Sequence, residues 1–259
     1  MNSSEKANPG VKLTATRKVV RLVGKAIGDF SLINDADRIA VALSGGKDSW
    51  SLLYSLLDLR KRAPVSYEIC AVTISTSNRD DRFKKIAERL EVDGIAYKSI
   101  YCDIPSIVSD HLNRGSSPCS LCSRIRRGIL YSFASSDGWN KIALGHHLDD
   151  FVETLLLNLF FNGSIKGMSP RLVADDGRNV VIRPLVYVRE ENTSAMAREM
   201  GLPIEDCGCI FQTEVDSKRR WVKKLLAQLE NEIPNVKNSI LSSMGRVFDR
   251  HLLKRVTGN

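Results

Sequence analysis

An α/β fold, a doubly wound parallel sheet with an N-terminal helix and a helical C-terminal extension, is predicted from three observations. Short apolar runs alternate with helical patterns along most of the chain, as in strands joined by crossover helices. Two of these runs, residues 39–43 and 141–144, each lead into a glycine-containing loop that opens a helix, residues 44–49 and 145–150. The composition, 259 residues with 43% apolar and 26% charged side chains, supports one large domain or two small ones and excludes a disordered or collagen-like chain.

Taken in order, residues 1–30 read as a polar tail and a helix with Val19, Val20, Leu22, Val23 and Ile27 on one side and Arg17, Lys18, Arg21 and Lys25 on the other. The run 39–43 is a strand, and 50–59 the helix after its glycine turn. Residues 67–74 read as strand, 83–90 as helix, 95–100 as strand, 141–144 as strand and 151–161 as helix. A strand at 180–182 precedes a helix near 190–200, and after Gly208 the chain turns helical and basic through Trp221 and again over 236–255. The expected partition is an N-terminal tail and basic helix over 1–30, a catalytic domain over 31–205 and a helical basic extension over 206–259.

The apolar stretch 155–161 contains Asn158 and ends at Asn162 and Gly163, well short of the roughly 20 residues a membrane-spanning helix needs. Residues 1–10 are polar and lack the apolar block of a secretory leader, so a cytoplasmic protein without a membrane segment is expected. Thirty-eight Lys and Arg against thirty Asp and Glu leave a charge of +8, which favours polyanionic partners. In the C-terminal third Lys218, Arg219, Arg220, Lys223 and Lys224 cluster, and Arg246, Arg250 and Lys254 follow at four-residue steps along one side of the expected helix. Such a stripe neutralises phosphates irrespective of sequence. Trp221, inside the first cluster, reads either as a base-stacking aromatic or as a core anchor.

Ser44-Gly45-Gly46-Lys47-Asp48-Ser49 places a glycine pair between a buried strand and a helix, where backbone N–H groups and the helix dipole favour phosphate. Lys47 adds charge, and the hydroxyls of Ser44 and Ser49 add donors. A Walker A loop is excluded, because Lys47 is followed by Asp48 and the required upstream glycine is missing. Gly145-His146-His147-Leu148-Asp149-Asp150 follows another strand and should lie at the same sheet edge. Asp149 and Asp150 could hold Mg2+ or a proton there; alternatively they are a helix cap and an ordinary first-turn carboxylate.

Six cysteines in a chain of this type point to metal ligands or catalytic thiols before disulfides. Cys119 and Cys122 form a C-x-x-C, and Cys207 and Cys209 follow downstream; four thiols could close a tetrahedral zinc site. Cys70 and Cys102 read as ordinary small buried or half-buried residues.

The first loop resembles the PP-loop of the ATP pyrophosphatase superfamily, adenine-nucleotide α-hydrolase-like proteins that cleave ATP between the α and β phosphates. The second resembles the Gly-His-His-x-Asp-Asp element of the thiolating tRNA enzymes. The run from Cys119 through Arg126 and Arg127 to Leu130, the element at 141–150, Lys166-Gly167-Met168, Asp175-Asp176-Gly177 and Ile182-Arg183-Pro184-Leu185 together resemble the TtcA family of tRNA 2-thiocytidine synthetases. The resemblance runs from about residue 20 to beyond 209 and is strongest over 117–185.

This resemblance implies ATP and Mg2+, bound by Ser44, Gly45, Gly46, Lys47, Asp48, Ser49, Gly145 and His146, with Asp48, Asp149, Asp150 and Arg126 in catalytic roles. It implies a [4Fe-4S] cluster on three cysteines: Cys119, Cys122 and, by position, Cys209. Cys207 is the alternative, since the family's downstream pair is C-x-x-C. It further implies tRNA as substrate, adenylation of the C2 oxygen of an anticodon-loop cytidine (cytidine 32), replacement of that oxygen by sulfur, a cysteine desulfurase as sulfur donor, and a homodimer. The chain departs from the family at Ser75-Thr76-Ser77, where an aspartate is common. Two other readings share these motifs. The 2-thiouridine synthetases of the TtuA/Ncs6 type carry extra cysteine pairs at both ends, whereas no cysteine here precedes Cys70 or follows Cys209. The other is a non-catalytic, zinc-stabilised RNA-binding module.

Overall fold

The computed structural model describes residues 14–76, 81–111, 118–174, 177–205 and 214–253, and these divide into two compact units. The first spans residues 1–147 and 169–212, the second residues 148–168 and 213–259.

In the first unit the elements are α1 (Thr14–Asp29), β1 (Asp37–Ala42), α2 (Lys47–Arg60), β2 (Tyr67–Ser75), α3 (Asp81–Val92), β3 (Tyr97–Tyr101), α4 (Ile104–His111), α5 (Pro118–Ser136) and β4 (Lys141–Ala143). The chain leaves for the second unit through α6 (Leu148–Asn162) and returns as β5 (Arg171–Val173), β6 (Val180–Ile182) and α7 (Glu190–Glu199). The strands form one sheet in the order β3-β2-β1-β4-β6-β5, parallel except for the antiparallel pairing of β5 on β6. β1 and β2 are apolar at successive positions because both faces of a parallel sheet are covered. Ala40, Cys70, Val72, Ile74 and Ile142 pack beneath α4 and α5 through Ile104, Val108, Leu130, Phe133 and Ala134. The other side carries α2, which packs with α1 and α7. The fully buried Trp50 anchors that layer and donates its indole N–H to the Pro203 carbonyl, 3.0 Å away.

Chain order runs outward from β1 through β2 to β3, then resumes at β4 on the opposite side of β1. The crevice beyond the carboxyl ends of β1 and β4 is therefore the topological switch point, where open α/β sheets take their ligands. At the other end of these strands Lys141 is held by Asp37 (2.6 Å) and the Leu32 carbonyl (2.6 Å).

The second unit is helical. α6 turns Leu148, Val152 and Leu156, a stripe at four-residue spacing, onto Val222 and Leu226 of α8 (Glu214–Glu232), with Ile240 and Leu241 of α9 (Val236–Ser243) packed against them. No helix among the described residues is long and apolar enough to cross a membrane.

The sequence reading placed most of these elements to within a few residues. It did not assign α4, α5 or the edge strand β5, and the long helix expected over 236–255 ends at Ser243.

Candidate active site

The loop after β1 is shaped by its glycines. Gly45 has φ +87, a conformation side-chain-bearing residues rarely adopt, and a Cβ there would lie 3.1 Å from Cδ1 of Ile86. Its carbonyl accepts the N–H of Glu205 at 3.1 Å. Gly46 is the N-cap of α2 and has no side chain to occupy the first-turn N–H groups, which leaves that helix end open to an anion. Ser49 ties the loop together: its hydroxyl donates to the Gly46 carbonyl (2.9 Å), accepts the Ser44 N–H (3.2 Å) and lies 3.2 Å from the Ser44 hydroxyl.

Lys47 bridges two carboxylates, Asp48 Oδ2 at 2.9 Å and Glu190 Oε1 at 3.1 Å. Burial works against its charge, but these two partners outweigh it and hold the ammonium above the usual lysine range. Asp48 also accepts the Thr193 hydroxyl on Oδ1 at 2.5 Å, and Nε2 of the buried His147 lies 3.8 Å from its Oδ2. Glu190 and Thr193 both come from the first turn of α7. Neither was expected from the sequence, where residues near 190–200 read only as a helix.

Gly145 seals the arrangement. A Cβ on it would sit 3.0 Å from the Ser49 nitrogen, 3.1 Å from the Asp48 carbonyl carbon and 3.2 Å from the Ser49 Cα. The two predicted loops therefore touch through backbone, and only glycine permits it. Beside it, Nδ1 of His146 accepts from Nε of Arg183 at 3.3 Å, while Nη1 of Arg183 donates to the Ser169 carbonyl at 2.6 Å. With Nδ1 an acceptor, the neutral His146 ring carries its proton on Nε2. Burial lowers the affinity of Arg183 for its proton, Tyr131 opposes that, and Arg127 adds to it.

Arg127 brings α5 into the picture. Helix α5 runs into β4, antiparallel to it, so its amino end returns toward the carboxyl edge of the sheet. Cys119 and Cys122 lie in its first turns and Arg126 one turn beyond Cys122. Cys122 is a free, half-buried thiol packed against the cluster that contains Ile74 and Ile142, and Arg126 is half-buried. Of Cys119 the structure describes only the backbone position in α5. Cys207 and Cys209 lie outside the described residues; the chain reaches them from Glu205, the residue bonded to Gly45.

Comparison with known proteins follows this geometry. The family model of the PP-loop domain matches residues 12–206. A tRNA-cytidine(32) 2-sulfurtransferase of Syntrophotalea carbinolica is 49% identical over 237 residues, 92% of each chain. One of Geobacter sulfurreducens is 51% identical over 237 residues, again 92% of each chain. The chain belongs to the tRNA-cytidine(32) 2-sulfurtransferase family. Among solved structures, the U34-tRNA thiolase NcsA of Methanococcus maripaludis, described with its [4Fe-4S] cluster, superposes with TM-score 0.75 at 24% identity, covering 96% of this chain and 86% of that one. NMN synthetase of Francisella tularensis superposes with TM-score 0.52 at 13% identity, covering 96% of this chain and all of that one. Both likenesses are of fold.

Asp149 and Asp150 open α6 in the second unit, where Lys237 lies 2.9 Å from Asp149 and Nη1 of Arg219 3.8 Å from Asp150. Glu153, one turn on, was not anticipated as a charged centre. It is 2% exposed, with Arg219 Nε at 3.5 Å and Lys223 Nζ at 3.8 Å. Burial raises its proton affinity, and those two cations act against that.

The expected stripe Arg246, Arg250 and Lys254 does not lie on one helix. Bonds from the N–H groups of Met244, Gly245 and Arg246 to the carbonyls three residues back close α9. Arg246 then stands in irregular chain, Arg250 in a 3-10 turn (Asp249–His251), and Lys254 lies outside the described residues. Gly245, a poor helix former, follows directly on the capping residue Met244, and the four-residue charge spacing hid that stop. Ser75, the first residue of the Ser75-Thr76-Ser77 stretch, is buried, and its carbonyl accepts the Cys102 N–H at 2.9 Å. Cys70 is buried and Cys102 half-buried.

Proposed function

We propose that this chain replaces the C2 oxygen of cytidine 32 in the tRNA anticodon loop with sulfur, using ATP. The observation that carries the proposal is the 49% and 51% identity, over 92% of both chains, to proteins named for that reaction. The geometry supports it, since the loops expected to hold ATP are in backbone contact through Gly145.

A pyrimidine carbonyl oxygen leaves poorly, so it must be activated first. In the proposed first step the cytidine oxygen attacks the α phosphorus of ATP and pyrophosphate departs. In the second, sulfur adds at C2 and AMP departs with the original oxygen. The first-turn N–H groups of α2 and the hydroxyl of Ser44 receive phosphate oxygens, Ser49 holds the loop in shape through its bond to the Gly46 carbonyl, Lys47 supplies charge, and the Nε2–H of His146 is a further donor. The lone lysine faces two carboxylates, Asp48 and Glu190. A polyphosphate entering that negative surplus calls for a divalent cation, and the Asp48 oxygens are the hard donors that Mg2+ prefers. Arg126 is proposed to meet charge at the α phosphate.

The thiols fit an iron–sulfur group. Cys119 and Cys122 occupy positions three residues apart near the amino end of α5, a helix end whose dipole favours an anionic cluster. With Cys209, or Cys207 as the alternative, they would hold a [4Fe-4S] cluster. Such a cluster, held by three thiolates, would leave one iron open to a sulfide ligand, with a cysteine desulfurase as the sulfur source and a thiol reductant needed to release its persulfide sulfur as sulfide. The setting is proposed to be the cytoplasm.

The decisive test is mass spectrometry of tRNA nucleosides from cells with and without the protein. Loss of 2-thiocytidine in its absence is expected; unchanged 2-thiocytidine, or loss of 2-thiouridine instead, rejects the assignment. Asp48→Ala should abolish thiolation and leave tRNA binding nearly intact, and retained thiolation would reject the role of the loop. A brown protein absorbing near 400 nm is expected, against a colourless zinc protein for the non-catalytic alternative.

A further inference from the structure

The second unit carries a surface that the proposed chemistry does not use. Trp221 on α8 is 51% exposed, and it meets Phe160 and Phe161 at the end of α6 edge-to-face, both centroids 5.9 Å from its own. The two phenylalanines are themselves 48% and 42% exposed. A half-open tryptophan in contact with two half-open phenylalanines is an unusual patch for a helix pair to leave uncovered. The core of this unit lies on the next residue round the helix, where Val222 is fully buried, so Trp221 is not an anchor of that core.

The surroundings of the rings are cationic. Lys218 sets its ammonium 5.2 Å above the Phe161 ring. Lys218, Trp221 and Lys224 follow one another at three-residue steps along one side of α8, with Arg220 alongside. Lys218, Arg220 and Lys224 are exposed, and no ion-pair partner for them occurs among the described residues. Arg219 and Lys223, by contrast, face Glu153. Aromatic faces flanked by unneutralised cations are complementary to unpaired nucleotides, whose bases stack on rings while the phosphates meet the cations. A duplex keeps its bases stacked on one another and would meet only the charge.

We propose that Trp221, with Phe160 and Phe161, forms a stacking platform for an unpaired base of the RNA substrate, with Lys218, Arg220 and Lys224 receiving the adjoining phosphates. This rests on the reading of the chain as a tRNA-modifying enzyme, and it assigns the recognition of single-stranded RNA to the second unit.

The test uses the full-length protein and two probes of equal length, an unstructured oligoribonucleotide and a blunt RNA duplex, titrated across a range of salt concentrations. Trp221→Ala should weaken single-strand binding roughly 5- to 100-fold, the loss of one stacked base. It should leave duplex binding and the salt slope unchanged, because no phosphate contact is removed. Trp221→Phe should recover most of the loss, and Lys218→Ala with Lys224→Ala should flatten the salt slope for both probes. Equal loss on both probes, or none on either, overturns the platform. So does a shift of Trp221→Ala from dimer to monomer in sedimentation with RNA affinity unchanged, which would make this face a contact between copies. Nucleoside analysis of tRNA treated with the wild-type protein separates the two levels: absence of thiolation there rejects the functional reading, whereas thiolation with an unchanged tRNA KM in Trp221→Ala rejects only the platform.

Discussion

Replacing Gly145 by alanine tests the contact on which the nucleotide site depends. The added Cβ would stand 3.0 to 3.2 Å from the Asp48 carbonyl carbon and from the nitrogen and Cα of Ser49. All three atoms are backbone, so no flexible side chain can swing away, and either the loop after β4 or the first turn of α2 must move. Forcing a methyl group into packed structure costs about 1–3 kcal/mol. At about 2–4 °C per kcal/mol for a chain of this size, the melting temperature should fall by roughly 2–12 °C. The functional effect should be larger, because the atoms displaced carry Asp48 and the N–H groups proposed to face the phosphates; an increase of about tenfold or more in the ATP KM is expected. Gly128→Ala is the matched control. Nothing lies within 4 Å of its added Cβ on α5, so it should hold or gain up to about 1 kcal/mol from helix propensity. Thermal unfolding and ATP-dependent pyrophosphate release read both effects. If Gly145→Ala melts within about 1 °C of wild type and binds ATP equally well, the two loops do not meet as described.

Two further outcomes concern stability. Lys141 and Asp37 form an ion pair with side chains only 3% and 5% exposed, so Lys141→Met alone strands a buried carboxylate and should cost about 3–5 kcal/mol in thermal or denaturant unfolding. Adding Asp37→Leu should return much of that, and a harmless single substitution would contradict the pairing. At Glu199 burial opposes the charge, but the N–H groups of Ala15 and Thr16 and the hydroxyls of Thr16 and Thr14 outweigh it and hold the carboxyl below its ordinary value. A lowered folded value means the contribution is present above the ordinary glutamate value of 4.5 and fades as pH falls through the folded one. Glu199→Gln should therefore destabilise α1 at neutral pH and lose its difference from wild type in acid, as read by unfolding across that range; a difference that persists in acid would mean the carboxylate charge is not what caps α1.

What the sequence revealed and what it concealed divide along physical lines. The strand-loop-helix units were legible because a buried parallel strand needs a continuous apolar run and a phosphate loop needs glycine, both local requirements. Gly145 was placed in the right loop, but not its reason, since the close approach to Ser49 comes from two strands adjacent in space and a hundred residues apart in sequence. Glu190 and Thr193 were invisible for the same cause: an acidic residue and a threonine in a first helical turn serve that helix equally well when no site is near. β5 has three exposed residues and so no burial alternation to betray it. Trp221 was ambiguous because one residue, about 100° of helical rotation, separates it from the buried Val222, and amphipathic spacing does not resolve a step that small.

The charge arrangement around Lys47 explains how such a site can exist before its substrate arrives. Lys47 opens α2 and Glu190 opens α7, so their bond joins the amino ends of two helices. Both ends carry the positive pole of a macrodipole, and Asp48, Glu190 and Glu191 in the two first turns offset it. A lysine on a flexible stem would otherwise sample many rotamers; two carboxylates and partial burial hold it in place and keep it charged. A phosphate oxygen reaching Lys47 takes the position of a carboxylate oxygen, exchanging one charge-assisted bond for another instead of ordering a free side chain. The entropy of placing the cation is thus spent during folding. What binding must still supply is the countercharge for the carboxylate that is displaced.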